Sequence, residues 1–174
     1  MNITVLELAE RFLGLQEIPG DEDTPLIVGM AQVVKADMRG ASGLGAIGRL
    51  PADDETPWCS TFMGFLAYLL NLPRPARHID PVVRGLALRA RSWLLIGNVV
   101  NLEDAQPGWD CVIFNRAGGS PDQTVINAPG HVALYVAHAG DNVVVRGGNQ
   151  GNRVSDHSYP ITNVLGVRRW WSGP

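Results

Sequence analysis

The segment from Pro57 to Leu70 most restricts how this chain can fold, because it predicts an apolar helix that begins with a cysteine. Proline suits the first turn of a helix, and the polar residues 52–56 before it are typical of a turn. Cys59 then lies near the positive end of the helix dipole and near unpaired backbone N–H groups, and both stabilise a thiolate. The sequence therefore predicts a candidate nucleophile at Cys59.

The composition indicates one globular domain that spans residues 1–174. Apolar residues make up 45% and charged residues 18% of the chain, which is long enough to bury a core without a metal or a disulfide. The formal net charge is -3, and no run of Lys or Arg is present. Nucleic acid is therefore excluded as the main partner, because phosphate binding needs a clustered basic surface.

The start of the chain does not have the pattern of an export signal. Charged side chains interrupt the apolar residues of Met1 to Leu15, and no stretch of the chain is apolar for the length that crossing a membrane requires. We therefore expect synthesis in the cytoplasm and no membrane insertion. In that reducing compartment Cys59 and Cys111 should stay free thiols, and Cys111 should be an inert core residue.

The order of predicted elements indicates an α+β fold. Helices are predicted at residues 4–15, 26–35, 57–70 and 86–96, a long loop at 36–56, and strands at 112–114, 132–136, 142–146 and 166–170. Helices that precede β-rich segments are typical of a fold in which the helices pack on an antiparallel sheet.

His131 is the strongest candidate for a base that activates the thiol. It opens the most apolar predicted strand, from which a side chain can face a helix N-terminus across the core. His78 and His157 lie in segments predicted as loops. His138 lies on the same strand as His131 but toward its opposite end.

A third residue should orient the histidine ring. A tight turn near Gly140-Asp141 would return the next strand antiparallel, so that the residues after that strand lie beside His131. Asn149 and Gln150 are at that position, and either amide could accept a hydrogen bond from the ring. Chain order favours Asn149, which could instead simply cap a turn.

Several segments, taken in order, resemble a known family. They are Pro-Trp-Cys-Ser-Thr-Phe at 57–62, Ala-Arg-Ser-Trp-Leu at 90–94, Gly-His-Val-Ala-Leu-Tyr-Val at 130–136 and Gly-Gly-Asn-Gln at 147–150. This set resembles the NlpC-type and CHAP (cysteine, histidine-dependent amidohydrolase/peptidase) cell-wall hydrolases of bacteria and phages. Leu-Gly-Leu-Gln-Glu-Ile-Pro-Gly at 13–20 and Leu-Gly-Val-Arg-Arg at 165–169 resemble a small subfamily of that group.

The resemblance implies a papain-like fold and a cysteine peptidase or amidase that cleaves an amide bond in the peptide stem of peptidoglycan. By position, Cys59 matches the family nucleophile, His131 the base and Asn149 a variable third catalytic residue. Trp58, beside the thiol, is expected to line the substrate groove, and we also expect Gln150 and Ser60 to bind substrate. No cofactor or metal is expected. The family's Pro-Gly-Asp turn is interrupted here by Trp109.

The expected biological role is that of a monomeric phage or prophage lysis or tail-associated enzyme. Such an enzyme would act in the periplasm or cell wall after holin release, particle delivery or injection. The alternatives are an injected antibacterial amidase effector, for which an immunity protein would be a partner, an enzyme with another substrate, and a non-catalytic phage module on the same fold.

Overall fold

Four α-helices precede an antiparallel sheet in the computed structural model, which describes residues 3–20, 22–42, 57–78 and 86–170. The helices are α1 (Val5–Glu10), α2 (Pro25–Ser42), α3 (Cys59–Leu69) and α4 (Pro75–His78), followed by a 3-10 helix at Ala90–Leu95. The strands are β1 (Asn98–Val100), β2 (Asp110–Asn115), β3 (Gly130–Ala139), β4 (Asn142–Gly147), β5 (Ser155–Pro160) and β6 (Val164–Arg169), with further 3-10 helices at Leu102–Asp104 and Ile161–Asn163. The predicted α+β class is confirmed.

All the strand pairs of the sheet are antiparallel, in the order β1-β6-β2-β3-β4-β5. The centre is β2 paired with β3, and its register places Phe114 opposite His131. Ala139 pairs with Asn142, so residues 140 and 141 form the predicted two-residue turn. This turn returns β4 alongside β3 and brings the end of β4 back toward the start of β3.

Helix α3 packs on one face of the sheet, as predicted. Its residues from Cys59 to Gly64 are all buried, and Cys59, Phe62 and Met63 share an apolar cluster with Val132 and Leu134 of β3. Alternate residues of the same strand, such as Ala133, join a second cluster on the other face. The N-terminal end of α3 therefore lies against the first residues of β3.

The ends of several elements differ from the sequence predictions. Helix α2 runs to Ser42, so residues 36–42 of the predicted loop are helical, and residues 43–56 lie outside the described residues. The helix predicted at 86–96 is a shorter 3-10 helix. Strands β1 and β5 were not predicted, and β5 contains His157, which we had assigned to a loop.

None of the helices in the described part of the chain has both the length and the apolar character needed to cross a membrane. Cys59 and Cys111 are both buried free thiols. Cys111 is fully buried in the core, as predicted, and burial raises its pKa to about 12.

Candidate active site

Cys59 is the first residue of α3, and its side chain points inward. The residue is 3% exposed, and the backbone N–H groups of Val132, Ser60 and Cys59 itself lie within hydrogen-bonding reach of the sulfur. Burial raises the pKa of the thiol, although Arg116 and these N–H groups lower it in part. Our expectation that the helix start favours a thiolate is therefore wrong for this conformation, because desolvation outweighs the helix terminus.

His131, the second residue of β3, has a fully buried ring with one paired nitrogen. Its Nε2 lies 3.0 Å from Oε1 of Gln150. The Gln150 amide donates through its own Nε2 to the carbonyls of Val145 and Ser155, so its oxygen must be the atom that faces the ring. Nε2 of His131 therefore carries the proton, and Nδ1 is left with a lone pair that can accept one.

The other nitrogen, Nδ1 of His131, has no hydrogen-bond partner among the described residues. The thiol of Cys59 is thus not hydrogen-bonded to it, and instead lies near the N–H of the next residue along the strand, Val132. Buried polar atoms are nearly always paired in native proteins. The unpaired Nδ1, on the residue that precedes Val132, is therefore an atom that could take up a proton.

The ring of His131 is neutral near pH 7. Its pKa is lowered to about 4, mainly by burial and then by the positive charges of Arg116 and, least, of His157, and the hydrogen bond that the ring donates to Gln150 opposes this lowering in part. Cys59 and His131 are therefore both uncharged in the resting protein, and the ring is available as a base and not as an imidazolium.

The amide that contacts His131 belongs to Gln150, and not to Asn149 as chain order favoured. Asn149 has a φ of 56°, in the left-handed region that Asn tolerates, so it reverses the chain direction after β4. That reversal directs the next side chain back to the sheet, where Gln150 is 4% exposed. Gln150 therefore orients the ring, and its burial is inconsistent with the substrate contact that we expected.

Trp58 is a core residue and not a groove residue. It is 2% exposed, and its indole Nε1 donates a hydrogen bond to the carboxylate of Glu17. The ring also packs on Gly148, where an added Cβ would lie 2.4 Å from it. Because Trp58 directly precedes Cys59 and Gly148 lies two residues before Gln150, this contact fixes the thiol relative to the residue that holds the histidine.

Ser60 also has a structural contact in place of the predicted substrate contact. It is 3% exposed, and its hydroxyl accepts a hydrogen bond from the indole of Trp93 at 2.9 Å. The Trp93 ring in turn stacks on Trp170 with centroids 4.8 Å apart. The hydroxyl of Ser60 thus anchors the first turn of α3 to the Ala90–Leu95 helix.

Two residues near the site were missed from the sequence, Arg116 and Tyr159. The Tyr159 ring lies 5.4 Å from the His131 ring between centroids. The Arg116 guanidinium, just after β2, lowers the pKa of Cys59, His131 and Tyr159, and is thus close to all three. A partly exposed cation beside an unpaired base could bind a negatively charged group of a substrate.

A cavity of about 650 Å³ lies away from this cluster, near the C-terminal end of α3. Tyr68, Arg74 and His78 contribute to its lining, together with Asp37, whose carboxylate pairs with Arg74 at 2.6 Å. No group of three or more His, Cys, Asp or Glu side chains that could hold a metal is found in the described residues. Besides the thiol of Cys59, the polar groups at the site are the imidazole of His131, the amide of Gln150, the guanidinium of Arg116 and the phenol of Tyr159.

The helices and sheet described above define an α+β protein with a cysteine, a histidine and a glutamine at the junction of helix and sheet. No protein-family model and no curated protein matches the sequence. Among solved structures, the chain is similar to NlpC1 from Trichomonas vaginalis, with 19% sequence identity and a TM-score of 0.49. The similarity covers 97% of this chain and 44% of that one, so this chain spans less than half the length of its structural neighbour.

Proposed function

We propose that this protein is a cysteine peptidase or amidase in which Cys59 is the nucleophile and His131 the general base. The observation that supports the proposal is the neutral ring of His131, which is held through Nε2 by Gln150 and has an unpaired Nδ1, while the N–H of the next residue, Val132, lies near the sulfur of Cys59. This is the protonation state that a base needs in order to remove a thiol proton.

The reaction would begin with transfer of the Cys59 proton to Nδ1 of His131. The thiolate then attacks the scissile carbonyl carbon, and the backbone N–H of Cys59 at the helix start stabilises the resulting oxyanion. The imidazolium returns the proton to the leaving amine, which departs as a thioester forms. Water, deprotonated by the same ring, hydrolyses the thioester and restores the thiol.

The first step requires a local rearrangement, because the sulfur lies near the N–H of Val132 and is not hydrogen-bonded to Nδ1. A rotation about χ1 of Cys59 is the smallest movement that changes the direction of the sulfur. Gln150 remains bonded to Nε2 throughout, so the ring keeps its tautomer while the thiol moves.

We further propose that the substrate is the peptide stem of peptidoglycan. The support is the resemblance of the ordered sequence motifs to NlpC-type and CHAP hydrolases. We also propose that a phage or prophage delivers the enzyme, which then acts in the periplasm or cell wall. The alternative is an antibacterial effector that is injected into another cell.

Digestion of purified sacculi, with mass spectrometry of the released fragments, tests both parts of the proposal. The wild-type protein should release peptide fragments, and Cys59→Ala should lower the rate by ~10³-fold or more. Cys111→Ala is the matched control, because it removes the other buried thiol and should retain activity. Equal rates for wild type and Cys59→Ala would overturn the assignment of the nucleophile.

The burial of the thiol and its raised pKa favour a second candidate, a non-catalytic module on the same fold. In that case the wild-type protein would release no fragments from sacculi, and iodoacetamide would modify Cys59 at the same rate with and without added wall peptide. Acceleration of that modification by wall peptide would favour the enzyme, since substrate binding would then expose the thiol.

A further inference from the structure

Arg91 is a buried cation whose entire hydrogen-bonding capacity is used within one segment of the chain. It lies in the Ala90–Leu95 helix and is 0% exposed. A guanidinium has five N–H donors. Here they bond the carbonyls of Pro129 (3.0 Å), Asp122 (3.0 Å), Val125 (3.4 Å) and Ser120 (2.6 Å) and the side-chain oxygen of Asn115 (2.7 Å).

The acceptors lie along the connection between β2 and β3, residues 116–129, and at its two ends. Asn115 is the last residue of β2, and Pro129 precedes the first residue of β3. Gly130 packs directly on the Arg91 side chain, where an added Cβ would lie 2.9 Å from Cγ. The guanidinium therefore fixes both the path of the connection and the point at which the chain enters β3, one residue before His131.

No carboxylate forms an ion pair with Arg91 among the described residues. Burial lowers the pKa of its guanidinium, and the more distant charge of Asp122 offsets this only in part. A buried charge without an ion pair is costly, and apolar packing often stabilises a core better. A gain in folding stability therefore does not explain why residue 91 is an arginine. Its five directed hydrogen bonds to the β2–β3 connection explain it better.

We propose that Arg91 is a positioning residue for His131: its five hydrogen bonds to the β2–β3 connection hold the start of β3, so that the ring stays buried with its Nε2 bonded to Gln150. The role in catalysis rests on the proposed function, whereas the effect on the ring does not. Lysine keeps the charge at this position but has three donors on a single nitrogen. It cannot reproduce the planar arrangement of five N–H donors that a guanidinium provides.

The test compares Arg91→Lys with Arg168→Lys. Arg168 is also a buried arginine that bonds backbone carbonyls, those of Leu94 and Val167, and burial lowers its pKa as well. Arg168 has no bond to the β2–β3 connection in the described structure. Both variants thus lose a buried guanidinium, but only Arg91→Lys is expected to affect His131.

The first readout is the titration of the His131 imidazole by NMR, which needs no enzymatic activity. Arg91→Lys should raise the pKa of His131 toward 6.5 from its value of about 4, because a loosened ring is better hydrated. Arg116 and His157 also act on this ring but are unchanged in both variants. Arg168→Lys should leave the titration of His131 as in the wild type.

The second readout is steady-state hydrolysis of a peptidoglycan peptide. Arg91→Lys should lower kcat by ~10-fold or more with little change in KM, since it misplaces the base and not the substrate. If Arg91→Lys does not fold, Asn115→Ala removes one of the five bonds and should raise the pKa of His131 by a smaller amount. An unchanged His131 titration in a folded Arg91→Lys or Asn115→Ala variant overturns the proposal, whether or not the wild-type protein is active.

Discussion

Acidification should weaken the fold through His131, whose ring is fully buried and whose pKa is lowered to about 4. In the unfolded chain the same ring titrates near 6.5. Between these two pH values the unfolded state binds a proton that the folded state does not. The free energy of unfolding should therefore fall as the pH falls below 6.5, and this contribution should level off below pH 4.

The size of the effect follows from the difference between the two pKa values. The interval from 6.5 to about 4, at about 1.36 kcal/mol per pH unit, gives about 3 kcal/mol. That is a substantial share of the ~5–15 kcal/mol by which a small domain is stable. Because the ring is not exposed, solvent screening does not reduce the value appreciably.

The assay is urea denaturation of the wild type and of His131→Gln at pH 7 and at pH 4. The amide of the variant does not titrate, so the wild type should lose about 3 kcal/mol more than the variant on acidification. His138→Gln, at an exposed position on β3, is the control and should lose as much as the wild type. Equal losses in the wild type and His131→Gln would refute the burial argument. A smaller loss in the wild type than in His131→Gln would show instead that the ring is an imidazolium stabilised by a thiolate.

Gly148→Ala should destabilise the protein by ~1–3 kcal/mol, because the new methyl group would lie 2.4 Å from the indole ring that it faces. Gly29→Ala in α2 meets no atom within 4 Å and should instead stabilise by ~0.5–1 kcal/mol, and urea denaturation measures both. Arg116→Gln should raise the pKa of His131, since a nearby positive charge disfavours the imidazolium, and NMR titration of the ring measures the change. An unchanged His131 pKa in Arg116→Gln would contradict the assigned effect of the guanidinium.

Local sequence patterns were sufficient to predict the elements that carry the site. The apolar run after Cys59 specifies a buried helix, and the β-rich segment after His131 specifies a buried strand. The turn at Gly140-Asp141 was predictable because glycine permits the positive φ that a tight turn needs. Gly140 adopts a φ of 60°. These features depend on residues that are close in sequence.

The parts that were missed depend on residues far apart in the chain. Strand β5 is mostly exposed and has no apolar alternation, so only its pairing with β4 defines it. Trp58 is buried with its N–H bonded to Glu17, much earlier in the chain, and its ring packed on Gly148, much later. The choice between Asn149 and Gln150 depends on a single backbone angle, the left-handed φ at Asn149, which the sequence does not specify.

The pKa of Cys59 was predicted in the wrong direction for a related reason. The position of a thiol at a helix start can be read from the sequence, but the depth of its burial depends on how α3 docks against β3 and β4. Arg91 carried a recognisable signal, since a charged residue lay within the apolar pattern Ala-Arg-Ser-Trp-Leu. Its partners could not be identified without the path of residues 116–129.

The packing of α3 against the segment after β4 also determines when the site can form during synthesis. Gln150 is added 91 residues after Cys59 (150 − 59). At ~5–20 residues per second, that separation corresponds to roughly 5–18 seconds on the ribosome. The helix therefore emerges before the strands that bury its first turn exist. The growing chain carries an accessible thiol that the finished protein conceals.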